Sequence, residues 1–225
     1  MRQLTRYYDT TKYNFLEHIL DCYGVKDLTK LHELDLELCN SELLNQSNEA
    51  ETFFHKKFYE KLSSGWTEIE TAFEKFIQNE ISYIFDEDFL YQAFPTYRVQ
   101  VPNQVAVSNW HYDSDKEHNH PLWEINFQIA ITDMFGSNAT WVESIPGLGD
   151  FYPMHLKYGQ YVIFDGNRCR HGNMKNDTGK TRVSLDFRVL PWSRFDPDNI
   201  KYSYYGKPFA AGGYYKLFSR EKKSV

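Results

Sequence analysis

Hydrophobic positions recur at helical spacing in the first part of the chain and at strand spacing in the second, with the change near Pro95. Tyr13, Leu16, Ile19, Leu20 and Tyr23 share one helical face, and Gly24 stands where a helix stop belongs. A second stripe, Phe54, Phe58 and Leu62, is expected to start after Asn48, with Glu51 three residues on, and to end by Gly65. The third follows a Thr67–Glu70 capping box and runs through Ile69, Phe73, Phe76, Ile77 and Ile84. The stretch from Val25 to Gln46 is read as helical too.

From Tyr97 the texture changes. Residues 97–101, 123–132, 140–143, 161–164 and 182–190 are short and rich in aromatic or β-branched side chains, which predicts strands. Turn clusters separate them, among them Pro146-Gly147-Leu148-Gly149, Asp165-Gly166-Asn167 and Asn176-Asp177-Thr178-Gly179. The expected architecture is a β-sandwich or barrel under a helical cover, in one domain spanning 1–225. Residues 1–94 would be the cover, 95–191 the β core and 192–225 an extension, loose from about Tyr205. In the last strand Arg182, Ser184, Asp186 and Arg188 share a parity, opposite Val183, Leu185 and Phe187. That reads as a polar cavity on one face and helix contacts on the other, with Asp186 and Arg188 paired or touching substrate.

Composition excludes more than it selects. A chain of 225 residues with 41% hydrophobic and 25% charged side chains can bury its own core without staples. Three cysteines without a CxxC argue against a disulfide framework. The net charge of −6 offers no footprint for nucleic acid, and no apolar run reaches membrane-span length. A cytoplasmic protein is expected, with oligomeric state left open. Aromatics at 17% suit an aromatic-lined pocket.

The densest set of ligand-type side chains is residues 110–120. His111 and Asp113, two apart, share a face of an extended segment and make two-thirds of the 2-His-1-carboxylate set that holds non-haem Fe(II). His171 would complete it. Arg182 follows eleven residues later, across a turn, with Ser184 on its face, and a planar guanidinium suits a carboxylate. Metal ligands beside a carboxylate receptor imply a small acid bridging both, as 2-oxoglutarate does. The rival ligand His155 lacks this, since the residue eleven beyond it is Gly166. His118 and His120 are expected to be solvent-exposed or lid residues.

HxD, a distal His and Arg-x-Ser together resemble the Fe(II)/2-oxoglutarate-dependent oxygenases. The His171-to-Arg182 interval and the Asn138–Gly149 segment are similar to their phytanoyl-CoA hydroxylase-like branch. Weaker similarity, through Trp110-His111-Tyr112-Asp113 and residues 181–188, reaches a group associated with aminoglycoside-antibiotic gene clusters. The resemblance covers roughly Tyr97 to Pro191 and implies a double-stranded β-helix (jelly roll) core. It implies His111, Asp113 and His171 as catalytic iron ligands, and Arg182 and Ser184 as holding the distal carboxylate of 2-oxoglutarate. Asn173, Asn126 and Gln100 would reach the cosubstrate. With Fe(II), 2-oxoglutarate and O2 the expected reaction is hydroxylation of a small polar metabolite, an amino acid or sugar derivative, releasing succinate and CO2. Because Asp113 is present, hydroxylation is favoured over halogenation, which in relatives needs a small residue there. Candidate pocket residues are Trp110, Tyr112, Trp123, Glu124, Arg168, Arg170 and Arg188. Glu124 or Asp115 would recognise an amine, Arg168 or Arg170 an acid. The alternative is a cupin-like metal-dependent isomerase or a sugar-binding jelly-roll protein without oxygenase activity.

Overall fold

The computed structural model describes residues 3–42, 51–106, 110–203 and 206–220. Two antiparallel sheets form the core. The larger uses β1 (Leu4–Tyr7), β2 (Phe89–Gln92), β3 (Thr96–Gln100), β4 (Ile125–Ala130), β7 (Gln160–Phe164), β9 (Arg182–Pro191) and β10 (Tyr215–Phe218). The smaller uses β5 (Thr140–Val142), β6 (Tyr152–Pro153) and β8 (His171–Asn173), in the order β6-β5-β8. This is a jelly roll with helices packed against its larger sheet.

β9 organises the larger sheet. One of its edges pairs with β4, and the other is shared: β3 takes its first half, from Gln100 opposite Arg182, and β2 its second, up to Phe89 opposite Pro191. Strand periodicity then sorts the side chains. Val183, Leu185 and Phe187 face the helices, with Phe187 packed edge-on against Phe73 at 5.2 Å and stacked on Phe127 at 4.9 Å. Arg182, Ser184 and Arg188 are buried on the opposite face, with Asp186 partly so. Arg98, Gln100, Asn126 and Gln128 sit at cavity-facing register positions of β3 and β4. The sheet therefore presents a polar floor to the jelly-roll interior.

The helical cover is α1 (Thr10–Tyr13), α2 (Phe15–Tyr23), α3 (Leu36–Asn40), α4 (Phe53–Ser63) and α5 (Thr67–Phe76). Several expectations shift here. Asn14 is left-handed (φ 51°), a conformation Asn tolerates, and splits the first stripe into α1 and α2, while Gly24 is the expected stop. The 25–46 region holds a 3-10 helix, Leu28–Leu34, and α3, each capped by an aspartate, Asp27 and Asp35. Gln46, Asn48 and Tyr205 lie outside the described residues; α4 is capped by Thr52, which accepts from the His55 amide. Thr67 does not cap α5: it is the first helical residue, Trp66 is the cap position, and no side chain caps it. A π-helical turn at Ile77–Ile81 then rotates the stripe, which leaves Ile84 37% exposed.

The extension departs most from expectation. Tyr215–Phe218 is not a loose tail but an added strand on β2, with Tyr215 fully buried. Among the described residues no helix is long and apolar enough to cross a membrane.

Candidate metal centre

The two histidines are brought together by backbone. His111 and His171 exchange both amide hydrogen bonds, at 3.0 and 2.8 Å, across an antiparallel bridge, and Val142 of β5 lies opposite His171 on the other side. Asp113 follows on the HxD segment, whose amide bonds the Gly166 carbonyl at 3.0 Å. The result is a converging set: Asp113 Oδ1 lies 3.5 Å from His111 Nε2 and 3.7 Å from His171 Nε2. All three residues are buried, and their ligand atoms lie within 4.8 Å of one another.

The surroundings fit a divalent metal. His171 Nδ1 lies 3.1 Å from the Cys169 carbonyl, so it carries the proton and Nε2 offers its lone pair to the centre. Burial, with His111 alongside, lowers its pKa to about 4 and keeps the ring neutral. Asp113 divides its oxygens. Oδ1 faces the histidines, while Oδ2 accepts from Asn126 Nδ2 at 2.7 Å and Arg188 Nε at 2.9 Å. Burial alone would raise its carboxyl, but Arg188 together with His111, His120 and His171 outweighs that and holds it well below the usual range. Two imidazoles, that of His171 held neutral, and one ionised carboxylate on one side of a centre are the donors ferrous iron takes.

The triad stands between two cavities. The smaller, about 40 Å³, is lined by His111, His171, Asn126, Asn173, Gln128 and Arg182 among others. The larger, about 600 Å³, meets it where His111, Arg98 and Arg188 line both, and Asp113 faces it. Arg182 is 1% exposed. It donates to Ser184 Oγ at 2.8 Å, Asn138 O at 3.2 Å and Gln100 Oε1 at 3.3 Å, so its fork is held rigidly at the inner end. Gln100 is fixed in turn by donating to the Gln104 and Met174 carbonyls, and Asn173 by donating to Ala139 O.

The substrate-side candidates divide. Arg188 lines both cavities and also binds Asp186 at 2.9 Å. Trp110 packs against Phe151 and over Gly172, at the rear of the His111–His171 bridge. Tyr112 and Trp123 are exposed, Trp123 lying between the Arg168 and Arg194 guanidiniums. Arg168 is paired with Asp165, and Arg170 donates to Trp110 O. Glu124 is buried behind His120, which it binds at 2.7 Å, and accepts from Tyr215 OH. Asp115 is spent on His118 and the local backbone. His118 and His120 are not solvent-exposed: His118 stacks on His111 at 4.1 Å, and both line the larger cavity.

Sequence reasoning missed Arg98, Gln128, Tyr214 and Lys207, all of which line one cavity or the other. Parity was the available signal for two of them, since Arg98 is two before Gln100 and Gln128 two after Asn126. Tyr214 and Lys207 lie in the extension, where no pattern marked them.

A buried His-Asp-His triad in a jelly roll, beside a fixed arginine, defines a non-haem iron oxygenase. The streptomycin biosynthesis protein StrG of Streptomyces griseus is 32% identical to the chain over 208 residues, covering 92% of this chain and 94% of that protein. The chain belongs to the family of that protein, within the Fe(II)/2-oxoglutarate oxygenase superfamily. No protein-family model matches it. Similar solved structures include a nickel complex of the non-haem monooxygenase ThoJ (13% identity, 88% of this chain and 75% of that one, TM-score 0.47). AviO1 from Streptomyces viridochromogenes (14%, 87% and 92%, 0.44) and the α-ketoglutarate-dependent carbocyclase SnoK from nogalamycin biosynthesis (12%, 96% and 92%, 0.47) are others.

Proposed function

We propose that this protein hydroxylates a small polar metabolite using Fe(II), 2-oxoglutarate and O2; that it works in a biosynthetic pathway is what the name of its relative, a streptomycin biosynthesis protein, suggests. The observation that carries this reading is the position of the triad between two cavities, one containing the buried Arg182 and the other about 600 Å³ in volume. A cosubstrate on the Arg182 side and a substrate on the other would reach the same centre from opposite directions. Iron with 2-oxoglutarate and dioxygen supplies an oxidant able to convert a C–H bond to C–OH, with succinate and CO2 released.

The chain's own residues do the rest. Arg182, steadied by Gln100 and Asn138, gives the distal carboxylate of 2-oxoglutarate a planar two-donor fork, with Ser184 Oγ 2.8 Å away as a further polar contact. Arg188 and Asn126 hold one oxygen of Asp113 and leave the other for metal. Phe164 and Gly172 line the inner cavity, where Phe164 limits water and Gly172 contributes only backbone. Tyr59, Leu62, Phe94 and Pro95 give the larger cavity an apolar wall.

Titrating the anaerobic Fe(II) protein with 2-oxoglutarate should develop the weak visible charge-transfer band of the iron chelate. His111→Ala should abolish it, and Arg182→Ala should demand far more cosubstrate. A folded, iron-loaded protein without the band would overturn the reading.

A further inference from the structure

An amine and an acid call for opposite pocket chemistry, and the larger cavity has only one of the two to offer. Among the described residues Asp113 is the sole carboxylate lining it. Both Asp113 oxygens are committed, one to the metal centre and one to Asn126 and Arg188. Glu124 stands behind His120, and Asp115 is turned to His118. Asp186 lines the inner cavity, where it holds Arg98 at 2.9 Å and Arg188 at 2.9 Å. No carboxylate in this set is left to receive an ammonium group.

Cations are plentiful by contrast. Arg98, Arg188 and Lys207 line the larger cavity and Arg182 the inner one, four against the two lining carboxylates, so that Arg98 and Arg188 share Asp186 between them and Arg188 also holds Asp113. A ferrous ion and a dianionic 2-oxoglutarate would cancel each other's charge and leave that excess of two in place. Arg98 lies where the cavities join, with 22% of its side chain exposed, and Lys207 is exposed at the outer wall. The apolar surface of Leu62, Phe94 and Pro95 belongs to the same cavity.

We infer that the substrate carries an anionic group, phosphate or carboxylate, received by Arg98 and Lys207, with its carbon skeleton against the Leu62–Phe94–Pro95 wall. This names the substrate class for the oxygenase reading and rests on it. A polyamine would meet like charge and no acceptor carboxylate, a juxtaposition that rejects ligands strongly in a desolvated site. Arg168 and Arg170, the acid receptors that the sequence offered, do not line this cavity: Arg168 pairs with Asp165 and Arg170 donates to Trp110 O.

The test is calorimetry on the full-length, anaerobic protein loaded with Fe(II) and saturating 2-oxoglutarate, so that Arg182 is already filled. The probes are inorganic phosphate, glucose 6-phosphate, gluconate and glucosamine. Phosphate and at least one sugar acid should bind saturably, glucosamine should not, and glucose 6-phosphate against gluconate separates a phosphate site from a carboxylate site. Lys207→Gln, at an exposed position that leaves the core intact, should weaken anion binding about tenfold, the worth of one charge-assisted hydrogen bond. Arg98→Gln should weaken it further. Glucosamine binding in place of the anions, no anion binding in a protein that shows the chelate band, or unchanged affinity in Lys207→Gln would each overturn the inference. Loss of the chelate band itself would instead count against the oxygenase reading, because the heat of anion binding is read separately.

Discussion

Arg188 Nε lies 2.9 Å from the Asp113 oxygen that points away from His111 and His171, and both side chains are buried. The guanidinium thus decides which carboxylate oxygen faces the metal centre, and it keeps that carboxylate ionised where burial would otherwise neutralise it. Arg188→Met should therefore lower Fe(II) affinity by about 10- to 100-fold, the usual effect of removing a group that orients a metal ligand. It should also cost about 3–5 kcal/mol, because Asp113 would remain as a buried, uncompensated charge. Iron titration and urea unfolding of the same variant would check both; unchanged iron affinity would mean that Asn126 alone positions Asp113.

The triad could be read in the sequence because each of its signals is short-range or nearly so. HxD is a two-residue period on an extended segment, and His171 to Arg182 spans a single turn. The parity of β9 likewise separates the polar floor from the face under the helices. Lys207 is another matter. Nothing near Lys207 in sequence marks it, and only the folding of the extension onto β2 carries the segment after Arg194 back past the site. Glu124 illustrates the reverse error. As a carboxylate near HxD it reads as a substrate anchor, yet long-range contacts with Tyr215 and His120 consume it. Helix bounds failed for local reasons, a left-handed Asn14 and a π-turn after Phe76, which hydrophobic spacing does not encode.

Gly166 carries a requirement on the metal side. A Cβ there would lie 2.8 Å from the Asn126 side chain and 2.8 Å from Phe164 Cε2. Asn126 is the residue whose amide holds Asp113 Oδ2 at 2.7 Å. Gly166→Ala should cost about 1–3 kcal/mol from overpacking and weaken iron binding as Asn126 is displaced. Thermal unfolding with and without Fe(II) would show it as a smaller metal-induced rise in Tm; a full rise would mean that Asn126 accommodates the methyl group.

Gln100 allows the Arg182 charge to be tested without removing it. Its Oε1 accepts from Arg182 at 3.3 Å. Gln100→Glu would place a carboxylate at that position and neutralise the cation from within, while giving up the bonds that Gln100 Nε2 donates to the Gln104 and Met174 carbonyls. The affinity for 2-oxoglutarate should fall by at least about tenfold, while iron binding is retained. The chelate band, followed against 2-oxoglutarate at fixed Fe(II), would report the shift, and wild-type affinity would place the cosubstrate elsewhere.

His55 gives the fold a pH dependence independent of the metal. It is 3% exposed, bonded to Thr52 Oγ1 at 2.6 Å and set edge-on to Tyr97 at 5.9 Å. Burial, reinforced by Arg98, lowers its pKa from 6.5 to about 3. The native ring therefore stays neutral between pH 6.5 and about 3, while the unfolded chain takes up a proton there. The unfolded state binds more protons, so stability is full above pH 6.5 and declines as pH falls towards 3. Over the first 1.5 units of that fall, to pH 5, the loss from this residue should be about 2 kcal/mol. His55→Gln keeps a polar partner for Thr52 without a titratable ring, so its stability at pH 7.5 should be lower than wild type but should decline less towards pH 5. Urea midpoints of both proteins at the two pH values would decide it, and parallel declines would mean that the His55 ring is protonated in the native protein.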